Sequence, residues 1–460
     1  MTRPPTGLLS GERVGGVRRR NPLSRYGALF RKRSFTAFLT AGALQFAAPS
    51  AVLVVLLYGI AFAYPAGERT TYGALALAFL GLSSTLPTLA AAFFSGALAD
   101  RFDRATVMRT VNLGSLLATA ALTSDLIFLP SGRVPIPGPA GFYIPLWVLL
   151  LYPGWAGVAV TATFFRPAFN ASLPRLVGTT ELPTANGVIY AIAAGVSALA
   201  SVIVGVVLTF AAPAYALSVA FLLFFAVQVA LLFVRADLSV SRRGPARSVL
   251  KAATEGYSYL ARRRGLLQAT VAALVTNFLS AVALVELALY VASWLNLSQG
   301  IWYGAIVGTS TLGVAVGFVI APRLRFEPRA GRAIIVFTLA MGLAILGLGL
   351  VHSIWLALPI IFAYGLMPGM INTVFLSTVQ ATVPDEMMGR VFSADEVGSM
   401  ALIPAGQYAG GVLTVSVGVQ GTYLTAGGAL VAFGLIMVAS FRALRHLGYR
   451  PAEPPRSETG

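Results

Sequence analysis

The chain of 460 residues contains no cysteine, two histidines and few charged side chains, with Asp, Glu, Lys and Arg together making up 11%. Each shortage removes a class of protein. Without cysteine there is no disulfide framework and no thiolate metal site. His352 and His446 stand far apart in the chain with no companion ligands, so no metal is expected. A soluble domain carries about 25% charged residues; this chain has too few to cover a surface in water. Acids are the scarcest: 16 against 33 Lys and Arg, a net charge of +17. Such an excess can mark a nucleic-acid binder. Here 57% hydrophobic residues leave no polar face to lie in a groove, so nucleic acid is excluded as a partner. No GxxxxGK[ST] phosphate loop occurs, so the chain is not expected to use ATP or any other cofactor.

Long apolar runs are abundant. A membrane-spanning helix needs about 20 predominantly apolar residues. Twelve runs qualify, near 36–63, 73–98, 106–129, 143–165, 185–210, 213–234, 267–294, 301–322, 332–351, 354–379, 394–417 and 420–442. The pairs within 185–234 and 394–442 are divided by little more than AAPA and GVQG. The first run is too long for the core of a cleaved signal peptide and reads as a retained helix. Charge placement sets the orientation. With both termini cytoplasmic, 31 of the 33 Lys and Arg fall on the inner side, and only Arg69 and Arg133 lie in outer loops. That asymmetry predicts an integral protein of the plasma membrane with both tails inside. It also accounts for the net charge, which faces anionic lipid.

Six spans precede the one long polar stretch between spans, and six follow it. The expected organisation is a cytoplasmic tail over 1–34, a bundle over 35–234, a linker over 235–266, a second bundle over 267–444 and a tail over 445–460. From Ala246 to Arg264 the linker can form a helix with Val249, Ala253, Tyr257 and Leu260 on one side, suited to the inner membrane surface. The halves echo one another. GALADRFDR follows the second span and GFVIAPRLRFEPRAGR the eighth; LPRLVGTTELPTANG follows the fourth and TVPDEMMGRVFSADEVG the tenth. The expected fold is an all-α membrane protein of twelve transmembrane helices in two pseudo-symmetric six-helix bundles. Such repeats place a substrate site between the halves near mid-membrane.

These features resemble the major facilitator superfamily. Its motif between spans two and three is matched by Gly96, Asp100, Arg101 and Arg104; Asp103 stands in place of its second glycine and Ala105 in place of its last basic residue. ADRFDR, RPAFNASLPRLV, EGYSYLARRRGLL and VPDEMMGRVFS resemble the efflux branch that includes macrolide and enterobactin exporters. The resemblance covers residues 35–442. The fifth span lacks the Gly-Pro motif of many such exporters, and the first lacks their acidic residue. The resemblance implies an inner clasp: Asp100 faces the positive N-terminal end of the eleventh helix, beginning near Ser393, and Gly96 allows close approach. Asp395 and Glu396 would begin that helix, suit its dipole, and could meet Arg101 or Arg104.

Inside the spans, one acid lies deep. Glu286, in SAVALVELALYVASW, sits about 12 Å before Trp294 at 1.5 Å per residue. An ionisable group there is costly to keep charged and marks function by default; it is a candidate proton carrier or substrate ligand. The alternative is a wetted, inert glutamate in the outer vestibule. Asn277 lies half a turn away from its face. Gln45 is the only strongly polar side chain of the first span. Gln45 and Asn277 could bond substrate in a cavity or cement helix packing. Asp125 reads as a wet boundary residue, and Arg166 as the start of an inner loop, paired with an acid. The predicted function is that of a monomeric secondary active transporter, not an enzyme. It would alternate access and export a hydrophobic or amphipathic small molecule, a drug-like compound or siderophore, with protons as the coupling partner. Alternatives are a lysophospholipid flippase of the same fold and a receptor or scaffold that does not transport.

Overall fold

The structure is a computed structural model that describes residues 33–136, 141–177, 182–234, 249–324 and 326–448. Most of both tails and the linker segment 235–248 lie outside the described residues. Almost everything else is helix, because in a lipid environment each backbone N–H and C=O must be paired within its own segment. The first half contributes α1 (Arg33–Phe62), α2 (Ala74–Arg101), α3 (Arg104–Phe128), α4 (Leu146–Val177), α5 (Leu182–Phe210) and α6 (Pro213–Leu232). A linker helix, α7 (Val249–Arg262), leads to α8 (Arg264–Leu284), α9 (Gly300–Ile320), α10 (Ala330–Leu350), α11 (Ile354–Thr382), α12 (Asp385–Met400) and α13 (Ile403–Ser440).

Among the described residues, eleven helical stretches are long and apolar enough to cross a membrane. The last of them is two spans. As one rod, the 38 residues of α13 would reach about 57 Å, nearly twice the roughly 30 Å of a bilayer core. Gly418 sits in the middle at φ 71°, ψ 175°, a conformation open to glycine and closed to most other residues. The chain turns back there. Thr414 and Thr422, eight residues apart, come together with their hydroxyls at 2.9 Å, where a straight helix would hold them about 12 Å apart. The spans therefore number twelve, and the GVQG expected as the divider contains the turn.

The packing is repeated in the two halves. In the first, α1 packs on α5, α2 on α4, and α3 on α4 and α6. In the second, α8 packs on the first segment of α13, α9 on α11, and α10 on α11 and the second segment of α13. Each pair in one half has its counterpart six spans later. This is the expected pair of pseudo-symmetric bundles.

The arginine-rich loops gather at one end of the molecule, the basic end; the loops with Arg69 and Arg133 form the far end. Hydrophobic packing differs between them. At the far end, one core includes Leu56, Leu77, Val148 and Val204 of the first half and Tyr290, Ile306, Ile361 and Tyr423 of the second. At the basic end each half has its own: Phe38, Phe165 and Phe169 in the first, and Ile334, Met370 and Met437 in the second. Among the described residues, the halves thus share one hydrophobic core at the far end and have separate ones at the basic end, where α2 also approaches the linker helix α7.

Several boundaries differ from expectation. α4 continues to Val177, eleven residues past Arg166, instead of ending at 165. The loop after α3 holds a two-stranded ribbon, Arg133–Pro135 against Tyr143–Pro145. α7 docks on α12: Leu260 is buried among Val379, Val383, Val391 and Ala394, and Glu255 pairs with Arg390 at 2.7 Å. Tyr257 is exposed, while the side chains of Val249 and Ala253 lie outside the described set.

Candidate functional site

The seventh span is broken where its acid lies. The helical ladder of α8 ends at Leu284; Glu286 follows at φ −91°, ψ 8°, then one turn Leu287–Leu289 and a π-helical turn Tyr290–Trp294. Glu286 is 0% exposed, and neither carboxylate oxygen has a protein hydrogen-bond partner. Tyr423 lies within electrostatic reach of Glu286 and of Tyr290, Tyr303 and Tyr364. The rings of Tyr290 and Tyr423 are 4.8 Å apart. All four tyrosines are buried. A fully buried carboxyl beside the buried Tyr423 excludes the reading of a wetted vestibule glutamate. The reason is tertiary: the far-end core, shared by both halves, closes over it. An unpartnered carboxylate in such surroundings is costly.

Arg166 is another charged side chain inside a span. Because α4 runs on to Val177, Arg166 lies on a membrane helix and not in a loop, which corrects the expected loop position. Its direction follows from its neighbours. Phe169 stacks on Phe38 of α1 at 4.2 Å, and the Tyr152 hydroxyl donates to the Ala76 carbonyl of α2. At about 100° per residue, Arg166 falls roughly 60° from Phe169 and roughly 40° from Tyr152, in the gap between α1 and α2. It is exposed there, with its guanidinium 5.9 Å from the ring centroid of Phe46 on α1. Phe46 is 6.4 Å from Tyr190 on α5, which is 6.1 Å from Phe318 on α9. A row of rings thus runs from beneath the guanidinium across to the second half.

Two seams join the halves. Along α5 and α9 the backbones almost touch at the far end: a Cβ on Gly304 would fall 2.6 Å from the Ser201 carbonyl and 2.7 Å from Gly205 Cα. There the Ile301 N–H donates to Thr209 Oγ1 at 2.8 Å, so a side chain of one half caps a helix of the other. Toward the basic end of the same pair, the rings of Tyr190 and Phe318 lie 6.1 Å apart. Along α2 and α13, Gly411 packs on Ala74 and Ala78, Phe79 meets Tyr408 edge-on, and the Thr85 hydroxyl donates to Gln407 Oε1 at 3.3 Å. At the far end itself the Tyr143 hydroxyl donates to Glu68 at 2.7 Å. That bond, together with burial, raises the phenol above its ordinary value and keeps it a donor.

The expected clasp is only partly visible. Gly96, Asp100, Arg101 and Glu396 lie on described helices, but their side-chain surroundings lie outside the described set. Arg104 is held within its own half, donating to the Ala171 carbonyl of α4 at 2.7 Å. Asp103 caps α3, accepting from the Thr106 N–H and hydroxyl, each at 2.8 Å. Asp395 and Glu396 do not begin a helix. α12 starts at Asp385 behind Pro384, so the two acids stand about three turns in and are not placed at its dipole. Pro384-Asp385-Glu386 is itself a helix-start signal. Asp395 accepts from the Thr270 hydroxyl of α8 at 2.7 Å. Burial and the Asp395 charge raise the Tyr257 phenol of α7 above its usual range.

The remaining candidates are spread out. Asn277 donates to the Ser399 carbonyl at 2.8 Å, tying α8 to the end of α12. Gln45 is 2% exposed, and neither side-chain amide atom has a protein partner. Asp125 is not a wet boundary residue: both its oxygens are buried without protein partners. It lies two turns from Ala118, which packs on Gly157 of α4, so it shares the face that α4 covers. Gln407 and the ring row were not evident in the sequence, because their partners come from the other half.

The family model for transmembrane secretion effectors matches residues 34–449, and the chain belongs to that family of the major facilitator superfamily. It is therefore a membrane transporter and not an enzyme. It is 26% identical over 380 residues to the uncharacterized MFS-type transporter YfiS of Bacillus subtilis (strain 168), covering 78% of this chain and 83% of that one. Among solved structures it is similar to a peptide transporter POT in complex with sulfate, with TM-score 0.65, 16% identity, and 91% and 96% of the two chains covered. It is also similar to a bacterial homologue of the human lysosomal transporter Spinster, inward-facing and unoccupied, with TM-score 0.63, 14% identity, and 94% and 100% covered. At these identities the structural likenesses show the fold.

Proposed function

We propose that the protein is a secondary active exporter working by alternating access. It would move a hydrophobic or amphipathic small molecule, a drug-like compound or siderophore, out of the cell against protons. The observation that carries this reading is the division of the cores, one shared at the far end and two separate at the basic end. With the basic end read as cytoplasmic from its arginines, the divided end would open to the inside. Few polar groups line the spans, which suits a substrate that sheds little hydration.

In this reading Glu286 is the proton carrier. Its cage is dry while the far end is shut, and opening that end would wet it. Asp100 would serve the opposite phase, closing the basic end when the far end opens. The test is counterflow in proteoliposomes with a panel of drug-like compounds, siderophores and lysophospholipid, with and without a pH gradient. Wild type is expected to accumulate an amphipathic panel member when the gradient is imposed. Glu286→Gln is expected to exchange it downhill at a similar rate and to ignore the gradient. Gradient-driven accumulation by Glu286→Gln would remove Glu286 from the role. Movement of lysophospholipid alone would favour the flippase.

A further inference from the structure

We infer that a cavity at the basic end, between the linker helix α7 and α12, binds the phosphate ester of a polyol. None of its wall residues belongs to the site proposed above, so the inference does not rest on the exporter reading. The cavity has a volume of about 390 Å³, inside the roughly 300–1,000 Å³ usual for small-molecule sites. Among the described residues, its wall includes Glu255, Ser258, Tyr259 and Arg262 of α7 with Met387 and Arg390 of α12.

The two guanidiniums on the wall stand in different states. Arg390 is engaged through one nitrogen: its Nη1 pairs with Glu255 at 2.7 Å and donates to Met387 Sδ at 3.3 Å. That pair cancels the acid on the wall. Arg262 is exposed and has no ion-pair partner among the described residues. The wall therefore keeps a positive charge without a counterion, and the planar fork of a guanidinium matches the oxygens of a phosphate. Arg263, with its guanidinium 5.8 Å from the Tyr259 ring centroid, adds a cation beside the wall. The other polar groups suit hydroxyls better than a second anion. Ser258 spends its hydrogen on the Thr254 carbonyl at 2.8 Å, which leaves its oxygen to accept. Glu255 is an acceptor as well. A ligand with one phosphate and free hydroxyls would meet donors with the first and acceptors with the second.

Depth narrows the source. The seventh span begins at Arg264, two residues after Arg262, so the cavity lies where α8 leaves the bilayer. A basic pocket at that level suits a lipid headgroup; a water-soluble ester of the same head has the same chemistry. Leu260 and the Glu255–Arg390 pair already hold α7 on α12. A phosphate on Arg262 and Arg390 would add a bond between the linker helix and the second bundle.

The experiment follows thermal unfolding of the full-length protein in detergent with three added compounds: glycerophosphoglycerol, dioctanoyl phosphatidylglycerol, and dioctanoylglycerol, which lacks the phosphate. A ligand that binds the folded state raises the midpoint with its concentration. Wild type is expected to respond to phosphatidylglycerol and not to dioctanoylglycerol. Arg262→Gln should melt at the wild-type temperature without ligand and need roughly fivefold or more ligand for the same rise. Arg262→Lys should keep part of the response, and decides if Arg262→Gln fails to fold. A response to glycerophosphoglycerol assigns a soluble ester as a source; a response to the acylated form alone assigns a membrane lipid; both support the site. No response to either phosphate compound, an equal response to dioctanoylglycerol, or a wild-type titration in folded Arg262→Gln overturns it.

Discussion

The two ends of the protein handle the same materials in opposite ways. At the far end the halves share one core, glycine lets the α5 and α9 backbones meet, and the acid within the seventh span, Glu286, is sealed. At the basic end, among the described residues, each half has its own core, Tyr190 and Phe318 meet across the α5–α9 seam, and Arg166 on α4 is exposed. Packed cores are bistable and resist continuous deformation. In the exporter reading, one shared end and one divided end form one of two states. The exchange of these roles is what an alternating exporter needs, and it would expose the acid as it hides the arginine.

The most damaging change to this contrast is a side chain in the far-end seam. In Gly304→Leu the new Cβ would press on the Ser201 carbonyl and on Gly205 Cα, both backbone atoms that cannot swing aside. Overpacking of this kind costs about 1–3 kcal/mol. Counterflow is expected to disappear while membrane insertion persists; retained transport would show that the seam need not close. A smaller effect is expected from Asp100→Asn at the basic end. A clasp built of partly exposed charge and dipole contacts is worth on the order of 1–3 kcal/mol. Transport should fall several-fold, with labelling of cysteines introduced at the basic end increased. Unchanged labelling together with unchanged transport would sink the clasp. Least severe should be Gln407→Ala, which removes the bond to Thr85 across the α2–α13 seam. One such hydrogen bond contributes about 0.5–1.5 kcal/mol, so a modest shift toward far-end opening should appear in labelling there. No shift would assign Gln407 to packing alone.

Much of the fold was legible in the sequence because span length and positive-inside charge are local, additive signals. The divider GVQG was readable for the same reason, and Gly418 supplies its turn. The site was less legible. Whether Glu286 and Asp125 are wet depends on helices far away in the chain, so both alternatives for Glu286 were open until packing closed one. Arg166 was misplaced because an arginine after an apolar run looks like a loop; the continuation of α4 to Val177 overrode that cue. The start of the helix carrying Asp395 and Glu396 was misplaced although its signal was present. Pro384, followed by Asp385 and Glu386, marks a helix beginning about ten residues before Asp395.

Because the chain contains no cysteine, the contrast between the ends can be tested by a single engineered bridge. Phe79 of α2 and Tyr408 of α13 face one another across the α2–α13 seam, with ring centroids 6.4 Å apart. With both replaced by cysteine, a short bifunctional thiol reagent should hold the far end shut. The account predicts that counterflow stops in the cross-linked protein and continues after a monofunctional reagent of the same chemistry. Full transport through a protein cross-linked at that seam would contradict it.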